Sequence, residues 1–277
     1  MIFQIEQEQA MKKNFQDYLR GKNLSSNTIQ SYLSAVGRYH SLYESVSRSN
    51  LLNFKEHCVT HYKPASVNIQ IYALNQYLEY AGKGDLKLKT VKVQHRRYLE
   101  NVISNEDYQY FKKRMKKDGR MKWYFMVWFM AATGARISEL LQIKVEHVQA
   151  GFIDLCTKGG KIRRIYIPKT LATAALEWLN AQKVESGFIF LNRWGKPITR
   201  EGIYTRLREY AKEYGIDSKV VYPHSFRHRF AKNFLAKYND IALLADLMGH
   251  ESIETTRIYL RMTAGEQYSI VNKVVTW

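Results

Sequence analysis

The sequence is short of cysteine, of long apolar runs and of acidic charge, and each shortage closes off a class of protein. Its two cysteines, Cys58 and Cys156, are widely separated in a chain of 277 residues. That argues against a disulfide framework and for a reducing, cytoplasmic setting. The longest apolar run, Trp123 to Ala132, falls well under the roughly 20 residues that span a bilayer, so it reads as a buried helix. The first residues, Met1-Ile2-Phe3-Gln4-Ile5-Glu6, lack the basic segment and apolar stretch of a secretory signal, and export is not expected. The glycine-rich phosphate loop of nucleotide-binding enzymes is missing too, so ATP is not implied. There is no internal repeat and no low-complexity tract.

What the chain has is positive charge. Against 25 acidic residues stand 43 Lys and Arg, a formal net charge of +18. Such an excess selects a polyanionic partner, nucleic acid first. A membrane surface would attract it as well, but no basic amphipathic helix sits beside a lipidation signal. The hydrophobic fraction of 45% suffices for real cores, and the length allows one large domain or two ordinary ones.

The first third is helical in pattern. One amphipathic segment runs from about Gln7 to Leu19, and Ser25-Ser26-Asn27 offers N-caps for a second from Thr28 to Tyr43, with Ile29, Tyr32, Leu33, Val36 and Tyr39 at helical spacing. A third helix is expected over Leu51 to Thr60. Pro64 suits the first turn of a fourth carrying Ile69, Ala73, Tyr77 and Tyr80. The aromatic stripe is read as core in preference to base-stacking. Gly82-Lys83-Gly84-Asp85 breaks this pattern, and a basic stretch follows with Lys87, Lys89, Lys92, His95, Arg96 and Arg97. The expected division is therefore a helical domain over residues 1–82, a basic linker over 83–97 and a second domain over 98–277.

In the second domain Ser104-Asn105-Glu106-Asp107 signals the start of a helix through Met115, and the apolar helix of Trp123 to Ala132 follows. Then comes Thr133-Gly134-Ala135-Arg136-Ile137-Ser138-Glu139-Leu140, with Glu139 three residues beyond Arg136, where it either orients the guanidinium or makes an ordinary surface ion pair. The pattern turns strand-like in Phe152–Cys156 and Ile162–Ile167, hairpin arms around a turn that holds Lys158 and Lys161. Helices are expected over Lys169–Gln182 and Thr199–Tyr214, the latter carrying Arg200, Arg206, Arg208 and Lys212.

Chemistry concentrates between Tyr222 and Tyr259. Tyr222-Pro223-His224-Ser225-Phe226-Arg227-His228 opens the stretch; Leu247-Met248-Gly249-His250 and Thr255-Thr256-Arg257-Ile258-Tyr259 close it. Guanidinium binds phosphate through paired hydrogen bonds, imidazole moves protons near neutral pH, and a phenol can act as a covalent nucleophile. None of these requires a metal. Singly they carry little: His224 or His228 fits a core histidine, Tyr259 is one of 20 tyrosines, and Gly249-His250 fits a helix C-cap. In conjunction and in this order they carry much more.

With those motifs, namely Thr-Gly-Ala-Arg-x-x-Glu-Leu, Lys-Gly-Gly-Lys, His-x-Phe-Arg-His, Leu-Met-Gly-His and Thr-Thr-x-x-Tyr, the chain from about Tyr98 onward resembles the tyrosine recombinases, the phage-integrase-like site-specific DNA recombinases. The helical first domain resembles, less specifically, their SAM-like core-binding domain, with Ser26, Thr28 and Tyr32 in a Ser-x-Thr-x-x-x-Tyr pattern. The resemblance implies a mainly α fold with a small β-sheet, an α+β catalytic domain forming a clamp with the helical one. It implies that Tyr259 attacks the scissile phosphate to give a 3′-phosphotyrosyl link and a 5′-hydroxyl. Arg136 and Arg227 would hold the non-bridging oxygens, Lys158 would protonate the leaving oxygen, with Lys161 its competitor, and His224 and His250 would share proton transfer and phosphate contact. His228 is assigned a structural role. No cofactor and no metal are implied. The implied partners are double-stranded DNA with inverted-repeat recombination sites and further copies of the chain, a tetramer on paired sites, with the apolar segment up to Trp277 docking on a neighbour. The competing readings are a type IB topoisomerase and a non-catalytic DNA-binding regulator of the same fold.

Overall fold

Serine hydroxyls start several of the helices. In the computed structural model, which describes residues 13–93, 101–156, 162–260 and the backbone of 264–275 (side chains from 268), Ser25 accepts the backbone N–H of Thr28 at 3.2 Å and Ser47 that of Asn50 at 3.2 Å. Residues 13–21 form α1. The capped helices are α2 (Ser26–Leu42) and α3 (Arg48–His61); α4 (Pro64–Tyr80) opens on its proline, which lacks an N–H that would go unpaired in a first turn anyway. The described residues divide into two compact units between residues 95 and 96.

The first unit packs these helices around Phe15, Leu19, Leu33, Val36, Tyr39, Phe54, Ile71, Leu74 and Leu78. Tyr39 and Tyr77 are core residues, and Phe15 meets Tyr77 edge to face at 5.3 Å. One expectation fails: Ile69 points outward, 47% exposed. The buried register on α4 is Val67, Ile71, Leu74 and Leu78, and two residues beyond Val67 the helix has turned about 200° away from that face.

After a 3₁₀ turn, Gly84–Leu86, residues 87–93 run back along the helices. The Asn75 side chain accepts the Leu88 N–H at 2.8 Å and donates to the Leu88 carbonyl at 2.9 Å. Asn68, two turns earlier on α4, does the same with Val91, at 2.8 and 3.0 Å. Leu88 joins the core at 5% exposure. The described part of the basic segment is thus fastened to the first unit; His95, Arg96 and Arg97 lie outside the described residues.

The second unit begins with α5 (Asn105–Lys117), capped by Ser104 on the Asp107 N–H at 2.9 Å, followed by α6 (Met121–Thr133). On α6, Phe125, Met126, Val127, Phe129 and Met130 are all buried, as expected of an apolar run too short for a membrane. No described helix is long and apolar enough to cross one. Two short helices, α7 (Ile137–Leu140) and α8 (Val145–Ala150), lead to an antiparallel hairpin of β1 (Phe152–Cys156) and β2 (Ile162–Tyr166), paired from Phe152–Tyr166 to Cys156–Ile162. Its turn, with Lys158 and Lys161, lies outside the described residues. Then come α9 (Lys169–Ala181), α10 (Arg200–Glu213), α11 (Pro223–Lys237), α12 (Ile241–Met248), α13 (Ile253–Thr256), a 3₁₀ turn Arg257–Leu260 and α14 (Ala264–Val274). The fold is mainly helical with one small two-stranded sheet. α11 packs on α6, and β2 on α12, which sets the ends of α6, α12 and the hairpin side by side.

Candidate active site

Helix α6 ends on Gly134 in the left-handed conformation, φ 62°, with the Phe230 ring of α11 2.5 Å from where a Cβ would stand. Both facts require glycine. The turn releases Arg136 as N-cap of α7. There the Glu139 carboxylate accepts the Arg136 backbone N–H at 2.6 Å and its guanidinium at 2.9 Å. Glu139 also takes a hydrogen bond from Arg163, a buried cation on β2. Burial alone would raise the Glu139 carboxyl; Arg163 and the Arg136 hydrogen bonds outweigh it and hold it below its ordinary range.

Helix α12 also ends on a left-handed glycine, Gly249 at φ 60°. The carbonyls just before and at this cap have no intrahelical partner and carry the negative end of the helix dipole. Three successive ones each receive an arginine: Leu247 from Arg163 at 2.8 Å, Met248 from Arg227 at 2.7 Å, Gly249 from Arg136 at 3.0 Å. Arg227, 3% exposed, bonds the Gly134 carbonyl as well, at 2.5 Å. Burial, then Arg136 and Arg163, push its guanidinium down to about 10. The cations are crowded against each other and held by backbone oxygens.

His224, Arg227 and His228 share one face of α11 at i, i+3 and i+4. Arg227 donates to His250 Nε2 at 3.0 Å, while His250 Nδ1 meets Thr256 Oγ1 at 2.7 Å. Guanidinium cannot accept, so His250 accepts at Nε2 and its proton is on Nδ1, toward Thr256. Tyr259, on the 3₁₀ turn, is 6% exposed. Its hydroxyl lies 3.2 Å from His228 Nδ1, and its ring stacks with His250 at 6.2 Å. Burial raises the phenol above its usual range, with Arg227 opposing. His228 and His250 are both held down to about 4, each by burial first and then by neighbours: His224 and Arg227 for His228, Arg227 and Arg136 for His250. His224, the exposed member, is lowered by desolvation and then by Arg227 and Arg136. Beside this cluster opens a cavity of about 1150 Å³ whose wall includes Arg136, Arg163, Arg164, Thr255 and His250. No group of three His, Cys, Asp or Glu side chains among the described residues is arranged to hold a metal ion.

Five of the six residues singled out in the sequence, Arg136, His224, Arg227, His250 and Tyr259, therefore lie in one region of the second unit; Lys158 lies outside the described residues. Sequence reasoning missed Arg163 and the contact of His228 with Tyr259. A signal for Arg163 existed: it alternates in phase with Ile165 and Ile167, which are buried, so it stands on the core side of its strand.

The profile of the phage integrase family matches residues 101–266. The chain belongs to that family. Tyrosine recombinase XerA of Pyrococcus furiosus is 29% identical over 261 residues, covering 91% of this chain and 89% of XerA. Tyrosine recombinase XerD of Listeria innocua is 37% identical over 147 residues, half of this chain and 49% of XerD. Among solved structures, the XerH site-specific recombinase bound to its difH substrate before cleavage superimposes with a TM-score of 0.70 at 19% identity, over 92% of this chain and 81% of that one; this likeness concerns the fold. As a family member this chain is a tyrosine-type recombinase, and its matched region contains every motif from Arg136 to Tyr259.

Proposed function

We propose that this tyrosine recombinase cuts and rejoins duplex DNA at specific sites through a 3′-phosphotyrosyl intermediate on Tyr259. The observation that carries the proposal is the meeting of Arg136, Arg227, His250 and Tyr259 around the C-terminal end of α12. A phosphate entering between the two arginines would replace backbone carbonyls as their acceptor. It would gain fixed, charge-assisted donors where negative charge builds up in the pentavalent transition state. Loss of either guanidinium should slow cleavage by roughly 100-fold or more. His224, at the exposed rim, adds a phosphate contact, while His250 holds the Arg227 guanidinium through Nε2 and adds its own contact only if binding frees that nitrogen. Lys158 protonates the departing 5′-oxygen, and a 5′-hydroxyl from the partner duplex later reverses the attack. Bond energy is conserved, so no nucleotide is consumed.

The first unit supplies a core-binding domain with its basic tether on the phosphates. The recombination sites are inverted repeats, and two sites are paired by a tetramer in the cytoplasm. Support for assembly comes from α14, where Tyr268, Ile270, Val271 and Val274 are 43–69% exposed, apolar surface suited to a neighbouring copy.

A nicked suicide substrate carrying the cognate site tests the chemistry. Wild type should become covalently attached to it, and Tyr259→Phe should not. Absence of any adduct with a genuine site would leave a DNA-binding regulator. With two sites on one plasmid, site-dependent inversion or excision is expected; relaxation indifferent to sequence would mark a topoisomerase instead.

A further inference from the structure

The proton of the attacking phenol has to go somewhere; two imidazoles lie against the ring, and a third lies beyond one of them. His250 has both ring nitrogens engaged, Nε2 by Arg227 and Nδ1 by Thr256. His224 lies at the exposed rim, its ring 6.4 Å from that of His228. Only His228 places a ring nitrogen on the Tyr259 oxygen among the described hydrogen bonds, Nδ1 at 3.2 Å. Nδ1 accepts the phenolic hydrogen when the ring proton is on Nε2.

We propose that His228 is a catalytic residue of this site, the group that holds the Tyr259 hydroxyl and takes its proton on attack. The inference rests on Tyr259 being the nucleophile. In the step, the Oη–H bond breaks and its proton passes to Nδ1, leaving an imidazolium. An Oη electron pair forms the bond to phosphorus. The P–O5′ bond breaks with its pair on O5′, which is protonated by Lys158. On rejoining the same proton returns from Nδ1 to Oη.

Charge favours the timing. Without DNA the imidazole is neutral, held down by burial, His224 and Arg227, and so it is ready to accept. A scissile phosphate bound at Arg227 and Arg136 offsets the cationic field that lowers the ring, making it more basic when the proton must move. His228 is only half-buried and lies one residue from Arg227 on α11, so the phosphate's charge acts on it at short range.

The test uses the full chain and a nicked suicide duplex, with the rate of covalent adduct formation as readout. His228→Asn should form adduct roughly 100-fold more slowly than wild type while binding the duplex with unchanged affinity. Replacing Tyr259 by a trifluorotyrosine, whose phenol is more acidic, should bring His228→Asn to within about tenfold of the His228 protein carrying the same analogue, because a more acidic phenol needs less help. His228→Ala, accelerated by added imidazole, provides a second line should the asparagine variant bind DNA poorly. If the asparagine variant reacts within threefold of wild type, or its defect is undiminished with the fluorinated phenol and imidazole does not rescue His228→Ala, then His228 is not the acceptor. Wild type failing to form any adduct would overturn the recombinase reading itself, a result distinct from a reactive wild type with an unaffected variant.

Discussion

Arg163 shows how one side chain can tie a site together without facing solvent. It is 6% exposed, shares Glu139 with Arg136, and bonds the Leu247 carbonyl, while its stem occupies the space a Cβ on Gly249 would need. Removing one member of a buried ion pair commonly costs about 3–5 kcal/mol. Arg163→Ala should therefore lower the midpoint of thermal unfolding and slow adduct formation, with Arg163→Lys recovering part of both. Gly249→Ala should also destabilise, through its left-handed backbone and its collision with Arg163. In the Arg163→Ala background only the backbone part remains. A double-mutant cycle should show coupling of at least ~0.5 kcal/mol; strict additivity would refute the packing relation. The motif arginines and Tyr259 were legible because their chemistry is unusual at those spacings. Arg163 was not read from the same sequence, since a basic hairpin makes any single arginine look solvated until strand parity is checked. His228 was underrated because a histidine beside Arg227 on a helix gives no sign of what its ring nitrogen meets.

At the scale of elements, local chemistry explains what could be read in advance. Serine hydroxyls at Ser25, Ser47 and Ser104, Pro64 at a helix start, and a hairpin alternating in burial are signals that act within a few residues. The path of residues 87–93 is a tertiary matter, fixed by two asparagines on α4, the helix it folds back along, and its lysines made it look like a free linker. Asn75→Ala leaves the Leu88 N–H and carbonyl, both partly buried, without their side-chain partner. A cost of about 1–3 kcal/mol is expected. Hydrogen exchange at the Leu88 amide should accelerate by at least tenfold in that variant; protection equal to wild type would show that Leu88 packing alone holds the segment.

For the molecule as a whole, charge and protonation set the working conditions. With a net charge of +18, affinity for the cognate duplex should fall steeply and linearly in a log–log plot against salt, as phosphate contacts release counterions. A flat plot would contradict backbone binding. Stability should depend on acid as well. His228 and His250 titrate near 4 in the folded chain against 6.5 in an ordinary setting, so between those values the unfolded chain binds more protons. The stabilisation is complete above about 6.5 and is lost as pH falls through that window. At pH 5 each would cost at most ~2 kcal/mol, less for such half-buried rings. The thermal midpoint should drop between pH 7 and 5 without DNA, and His228→Asn should reduce that drop.

The two asparagines on α4 grip residues 88 and 91 by their peptide groups, leaving the side chains of Lys87, Lys89 and Lys92 out of those bonds. Route and lettering are thereby largely uncoupled: the course of this segment is written on the helix, and apart from Leu88 and Lys87, which pairs with Glu79 at 2.9 Å, most of its own residues are free to drift. Charge could be added to or taken from positions 89 and 92 in steps, tuning how tightly DNA is held, with the first unit's core undisturbed as long as Leu88 remains.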